Sequence, residues 1–233
     1  MTSMMSSRHF VSSRELPPSL LPSHAATAAP LSAEWSERVL LADLRPTQMA
    51  VGMRAVAAKR RKIERRTGSV RKLRRYLEKR PVPAVLGPDE EFYIIDHHHL
   101  SLALWQSDVD EVLVRIVRDL SDLPKATFLS AMTSFGWLHP YNAKGQKICP
   151  TRLPATLDKL HADLYRDLAW SVRKADGFLK TDVPFSEFAW ANFFRSRIPS
   201  SLLSDDFDRA HERAMRLARS NDTRHLPGSL AAA

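Results

Sequence analysis

The sequence predicts an α+β protein: a small mixed α/β domain over residues 36–120, then a helical extension over 121–222. Three observations lead there. Up to Val117, short β-branched runs alternate with stretches of helical period. From Leu123 onward only helical periods recur, separated by Pro or Gly. The chain has 233 residues, 44% hydrophobic and 26% charged, an ordinary globular composition. A chain of that size buries roughly 70% of its unfolded surface without covalent staples.

Residues 1–32 are rich in Ser, Pro and Ala, and the first 33 contain a single acid, Glu15. Such a stretch buries too little apolar surface to offset its ordering entropy, so a disordered or loosely draped segment is expected. It lacks the charged start and unbroken apolar core of a secretory signal, which favours the cytoplasm. An acid-poor, Ser-rich start carrying Arg8 and Arg14 leaves an organelle transit peptide open. No apolar run approaches the roughly 20 residues that cross a bilayer, so no membrane association is expected. The single cysteine, Cys149, excludes an intramolecular disulfide framework and a cysteine-rich zinc module.

Residues 38–45 read as a strand ending at Pro46, and residues 47–66 as a helix capped by Thr47. Gly68 and Ser69 break that helix before a second one over 71–80, where Leu73 and Leu77 lie four apart. Val82–Leu86, flanked by prolines, reads as an edge strand. Gly87-Pro88-Asp89 supplies a turn to a buried strand over 92–95, and a helix over 100–105 and a strand over 109–117 follow. Helices are then expected over 124–135, 155–175, 184–197 and 205–220, with residues 223–233 frayed. In the second of these, Leu157, Leu160, Leu164, Leu168 and Val172 form one stripe, with Gly177 placed as a left-handed cap.

The chain holds 35 Lys and Arg against 26 Asp and Glu, a formal charge of +9. Residues 59–80 contain 12 of those bases and two acids, which leaves 23 bases and 24 acids elsewhere. The protein is a near-neutral body with one cationic segment. Lys59, Arg60, Arg61, Arg65 and Arg66 are its candidate nucleic-acid contacts, through counterion release on phosphates. A solvated helical face is the alternative.

The stretch most suggestive of chemistry is YIIDHHHLSLAL, residues 93–104. A buried strand running straight into a helix places Asp96, His97, His98 and His99 at a helix start. Unpaired backbone N–H groups there favour anions. Asp96 is a suitable cap, and helical spacing lets at most two of the histidines share a ligand. Three readings stand. The histidines, with Arg45 and Arg54, hold a phosphate; or Asp96 with a histidine, and His139 or Cys149, holds a divalent metal such as Mg; or Asp96 only caps and the histidines are structural. Trp137, His139 and Tyr141 form an aromatic loop expected to anchor one half on the other, and Trp190 is expected in the core.

The order Leu44-Arg-Pro-Thr-Gln48, Val51-Gly-Met-Arg54, a basic helix, Pro81 to Pro88 and Ile94-Ile-Asp-His-His-His-Leu100 resembles the ParB-like nuclease group of the ParB/sulfiredoxin superfamily. Later blocks, Tyr165 to Arg173 and Pro184 to Trp190, resemble its longer members. The resemblance implies a compact domain binding nucleotide or other phosphate groups, followed by helices. In several branches the turn reads D-G-H-H-R, so His97 stands where Gly is usual and Leu100 where a phosphate-gripping Arg is usual. Gln48 is neutral where an acid is usual. As an enzyme, the family would cleave phosphodiesters or transfer phosphoryl groups. Asp96 would orient a metal or act as base, and His98 or His99 would stabilise charge on phosphate. The alternatives are a non-catalytic DNA-associated or nucleotide-binding module using the basic helix, and a protein-interaction unit.

Overall fold

The computed structural model describes residues 35–231, so the expectation for residues 1–32 lies outside the described residues. The first half runs β1 (Trp35–Leu40), β2 (Leu44–Pro46), β3 (Ala50–Val51), α1 (Met53–Thr67), α2 (Val70–Glu78), β4 (Val82–Leu86), β5 (Phe92–Ile94), α3 (His98–Trp105) and β6 (Glu111–Asp119). The second runs α4 (Lys125–Ser134), β7 (His161–Ala162), α5 (Leu164–Lys174), α6 (Ser186–Arg195), α7 (Ser200–Asp205) and α8 (Phe207–Ala218). A mixed five-stranded sheet in the order β1-β6-β4-β5-β2 carries the α/β half, and helices dominate the rest.

Strand periodicity sorts the sheet's two faces. Along β6, Val112, Val114 and Ile116 enter one core with Val56 and Ile63 of α1 and Leu100 to Leu104 of α3. Val117 points the other way, into a core with Tyr93, Phe128 and Met132. The same alternation along β4 puts Val82, Ala84 and Leu86 in the first core and Val85 in the second. A third core of Leu168, Val172, Phe178, Trp190 and Phe194 belongs to the helical half. Trp190 is fully buried and stacks on Phe178 with ring centroids 4.1 Å apart, as expected of a core residue.

Several elements depart from expectation. Val82–Leu86, expected at an edge because of its prolines, is the central strand, paired with β6 on one side and β5 on the other. The strand over 38–45 is two strands, parted by a 3-10 turn at Leu41–Asp43 that turns Leu41 into the core. Thr47 does not cap α1, because Ala50–Val51 pairs with β7 as a strand and the helix starts only after Gly52. The helix expected over 155–175 divides into a 3-10 turn at Leu157–Lys159, then β7, then α5, whose cap Asp163 accepts from Tyr165 N at 2.9 Å. Its leucine stripe spans two cores: Leu157 and Leu160 pack in the α/β half, Leu168 and Val172 in the helical half.

Gly177 is not in the left-handed region; Asp176 is, at φ 56°. Glycine is required at 177 for space, since a Cβ there would collide with Val172 Cγ1. The tail expected to fray is tied down instead. Trp190 Nε1 donates to the Pro227 carbonyl at 2.8 Å and Leu179 N to the Gly228 carbonyl at 2.8 Å. Among the described residues no helix is long and apolar enough to cross a membrane.

Candidate functional site

The turn from β5 into α3 is built from polar residues that bond mostly to their own surroundings. Asp96 does not cap α3. Its Oδ1 accepts from His97 N at 2.6 Å, and His97 takes the cap position with φ 65° and ψ 17°. A side chain in that left-handed conformation costs roughly 1–2 kcal/mol, which accounts for the glycine usual there in the resembling group. His98 Nε2 accepts from Thr47 N at 3.1 Å, and His99 Nε2 from Gly52 N at 3.2 Å. The two rings thereby clamp the start of α3 to the 47–52 segment. Burial holds His98 neutral, its pKa pushed down to about 3, and drives that of His99 well below the ordinary range. With Nε2 accepting, each neutral ring carries its proton on Nδ1. An imidazolium charge directed at phosphate is therefore absent at both positions.

These histidines form one wall of a cleft of about 650 Å³ between the two halves, within the roughly 300–1,000 Å³ range of small-ligand sites. All three border it, although helical spacing allows only two on one face. His97 lies in the left-handed turn, outside the helix, and escapes that restriction. The facing wall is α5, where Arg166, Trp170, Arg173 and Lys174 project from one side. Six Lys or Arg residues line the cleft against three acids, Asp96, Asp182 and Glu187.

Arg166 is 5% exposed, with its guanidinium carbon 3.6 Å from the Phe188 ring centroid and its Nη2 3.8 Å from Glu187. Glu187 also pairs with Arg173 Nε at 2.7 Å. Burial lowers the Lys59 pKa, against the pull of the Asp96 carboxylate. Among the described residues, Arg166 Nε, His97 Nδ1 and Thr181 Oγ1 are buried without a hydrogen-bond partner, and all three residues line the cleft. His139 anchors the segment that closes it. Its backbone N donates to the Thr47 carbonyl at 2.8 Å, and its ring lies 3.6 Å from that of Phe188 and 4.7 Å from that of Phe185. The aromatic loop thus joins the two halves, and burial brings the His139 pKa down to about 4.

Other sequence candidates lie elsewhere. Arg45 does not reach the cleft; its Nε donates to Glu91 Oε1 at 2.8 Å, in a cluster with Lys125. Arg54 is turned away as well, its guanidinium 3.5 Å from the Phe207 ring centroid. Of the basic-segment candidates, Lys59 lines the cleft, and Arg65 and Arg66 line an adjoining groove. Arg60 pairs with Glu64 at 3.0 Å, and neither it nor Arg61 borders either cavity. Cys149 is exposed and outside the cleft. Among the described residues no three His, Cys, Asp or Glu groups converge into a closed metal cage.

The residues that sequence reasoning missed are Arg166, Trp170 and Arg173. Their spacing of four and then three residues marks one helical face, opposite the buried Leu168 and Val172.

Comparison with known proteins accords with this architecture. A family model described as "Putative ParB-like nuclease" matches residues 37–196. The crystal structure of protein Atu1540 from Agrobacterium tumefaciens is similar at 41% identity and a TM-score of 0.78, covering 85% of this chain and 100% of that one. No curated protein matches the chain. A sheet flanked by α1 and α3, a helical second half closing over the D-H-H-H turn, and a match across residues 37–196 place this chain in the ParB-like nuclease family.

Proposed function

We propose that the cleft binds a phosphate-bearing ligand, a nucleotide or a nucleic acid, and serves phosphodiester cleavage or phosphoryl transfer. The observation that carries this reading is the pair of buried, unpartnered atoms in a cationic cleft, Arg166 Nε and His97 Nδ1. Leaving such a polar group buried and unsatisfied costs about 1–3 kcal/mol, and a phosphate oxygen on Arg166 Nε would remove that cost. Lys59, Arg166 and Arg173 then neutralise the phosphate, and Arg166 is held in place by stacking on Phe188. Asp96, exposed at the turn beside His97, is the candidate base. His98 and His99 act as positioning residues, since both Nε2 atoms are occupied within the protein.

A second reading, a non-catalytic phosphate-binding module, is favoured by the neutrality of His98 and His99. Thermal shift with inorganic phosphate, pyrophosphate and nucleoside monophosphates tests binding, since a ligand that binds only the native state raises its stability. Stabilisation that disappears in Arg173→Ala supports the site; equal stabilisation of both proteins refutes it. Phosphodiester turnover lost in Asp96→Asn with binding retained selects the enzyme, and binding without turnover selects the module.

A further inference from the structure

We infer that the groove between α1 and α2 is a track for single-stranded nucleic acid that leads into the cleft. This deepens the phosphate-binding reading above and rests on it. The groove encloses about 830 Å³ and is lined by nine Lys and Arg side chains and Tyr76, with no carboxylate among its lining residues. The segment's two acids lie on other faces. Glu64 is paired with Arg60 and Glu78 with Arg74, each at 3.0 Å, and none of these four residues lines the groove.

A merely soluble helix pair gains nothing from this segregation. Lys59, Lys62 and Arg66 recur at helical spacing on α1, as do Lys72, Arg75 and Lys79 on α2, and like charges so spaced oppose each helix. The two rows converge on one concavity, where a polyanion relieves the repulsion and gains affinity by releasing its counterions.

Size and continuity narrow the occupant. A groove of this size follows the backbone of a few nucleotides of single strand, and it adjoins a cleft of about 650 Å³, within the range of small-ligand sites. Lys59 and Lys62 line both the groove and the cleft. A strand held along α2 therefore brings one nucleotide to the cleft, where half-buried Trp170 offers a face for its base. Tyr76 helps shape the basic wall, with Arg66 and Arg80 guanidinium carbons 4.6 and 4.2 Å from its ring centroid.

The test is fluorescence anisotropy of the full-length protein with a labelled single-stranded oligonucleotide and with its duplex, across a salt series. The variants are Arg71→Ala/Arg75→Ala in the groove and, as a charge-matched control, Arg209→Ala/Arg216→Ala on α8. All four residues are exposed, so circular dichroism melts should coincide with wild type. The expected result is binding that favours the single strand, weakened at least about tenfold by the groove pair, with a salt slope shallower by about 1.4 for two lost contacts. The control pair should bind like wild type.

Equal binding of duplex, equal loss in the control pair, or preferential capture by phosphatidylserine vesicles would each overturn the inference. Thermal shift with a nucleoside monophosphate separates the two readings. Stabilisation by the mononucleotide without strand binding fells the groove and leaves the cleft. Strand binding through the groove without mononucleotide stabilisation fells the cleft reading alone.

Discussion

The neutral histidine at position 98 makes a quantitative prediction about acid stability. His98 is 5% exposed, and burial holds its pKa at about 3 against 6.5 when unperturbed. A base whose folded pKa is depressed takes up its proton preferentially in the unfolded chain. Its stabilising contribution is therefore present above pH 6.5 and is lost as pH falls toward 3. Integrating between pH 7 and pH 5 gives a loss of about 2 kcal/mol from this residue.

His98→Gln removes the titration while offering Oε1 to Thr47 N in place of Nε2. Urea unfolding of both proteins at pH 7 and pH 5 isolates the effect. His99 and His139, depressed in the same sense, and Asp167, pushed by burial up to about 6 and so of opposite sign, are common to both proteins. Wild type should lose about 2 kcal/mol more than the variant over that interval. An equal loss in the two proteins would refute the assignment of a buried, neutral His98.

Other substitutions follow from the same geometry. Gly52→Ala places a Cβ 2.8 Å from Asp167 Oδ1, the carboxylate oxygen that accepts from Arg54 N at the start of α1. Overpacking of that kind costs about 1–3 kcal/mol, and a melt lowered by roughly 2–4 °C per kcal/mol is expected; an unchanged melting temperature would contradict the packing. His97→Gly relieves a left-handed side chain at roughly 1–2 kcal/mol and adds glycine's chain entropy at about 0.5–1, so stability should change little. Stabilisation by phosphate should nevertheless fall, and unaltered stabilisation would remove His97 from the site. Glu187→Gln frees Arg166 and Arg173 from their shared carboxylate. Phosphate affinity measured by calorimetry should rise up to about fivefold, the equivalent of about 1 kcal/mol for a partly exposed ion pair; a fall would show that Glu187 itself supports the ligand.

Much of this fold was legible because burial leaves a period in the sequence. The strands at Val82–Leu86 and Phe92–Ile94, the Ser69 break between α1 and α2, and the helix that buries Trp190 all follow from local pattern and punctuation, although the prolines around Val82–Leu86 misled about its place in the sheet, which is central and not at an edge. The leucine stripe from 157 to 172 misled because two elements in different cores preserved one helical spacing by coincidence. Thr47 misled because its nearest competitor for structure, β7, lies more than a hundred residues away.

The site was legible as a turn but only in part as a cleft. Asp96 to His99 were visible as polar residues at a strand-to-helix junction. That Nε2 of His98 and His99 would be taken by Thr47 and Gly52 depended on long-range packing. Arg45 and Arg54 looked suitable by proximity in sequence, yet Glu91 and Phe207 hold them elsewhere. The cationic face of α5 was present in the spacing of Arg166, Trp170 and Arg173, but periodicity alone does not say which element a polar stripe will face.

The most direct measurement is a crystal structure of the protein with a bound nucleoside monophosphate. The phosphate oxygens should lie within hydrogen-bond reach of Arg166 Nε, with Lys59 and Arg173 beside them and the base near Trp170. A phosphate seated elsewhere, with Arg166 Nε still unpartnered and the cleft filled only by water, would contradict the assignment of this cleft.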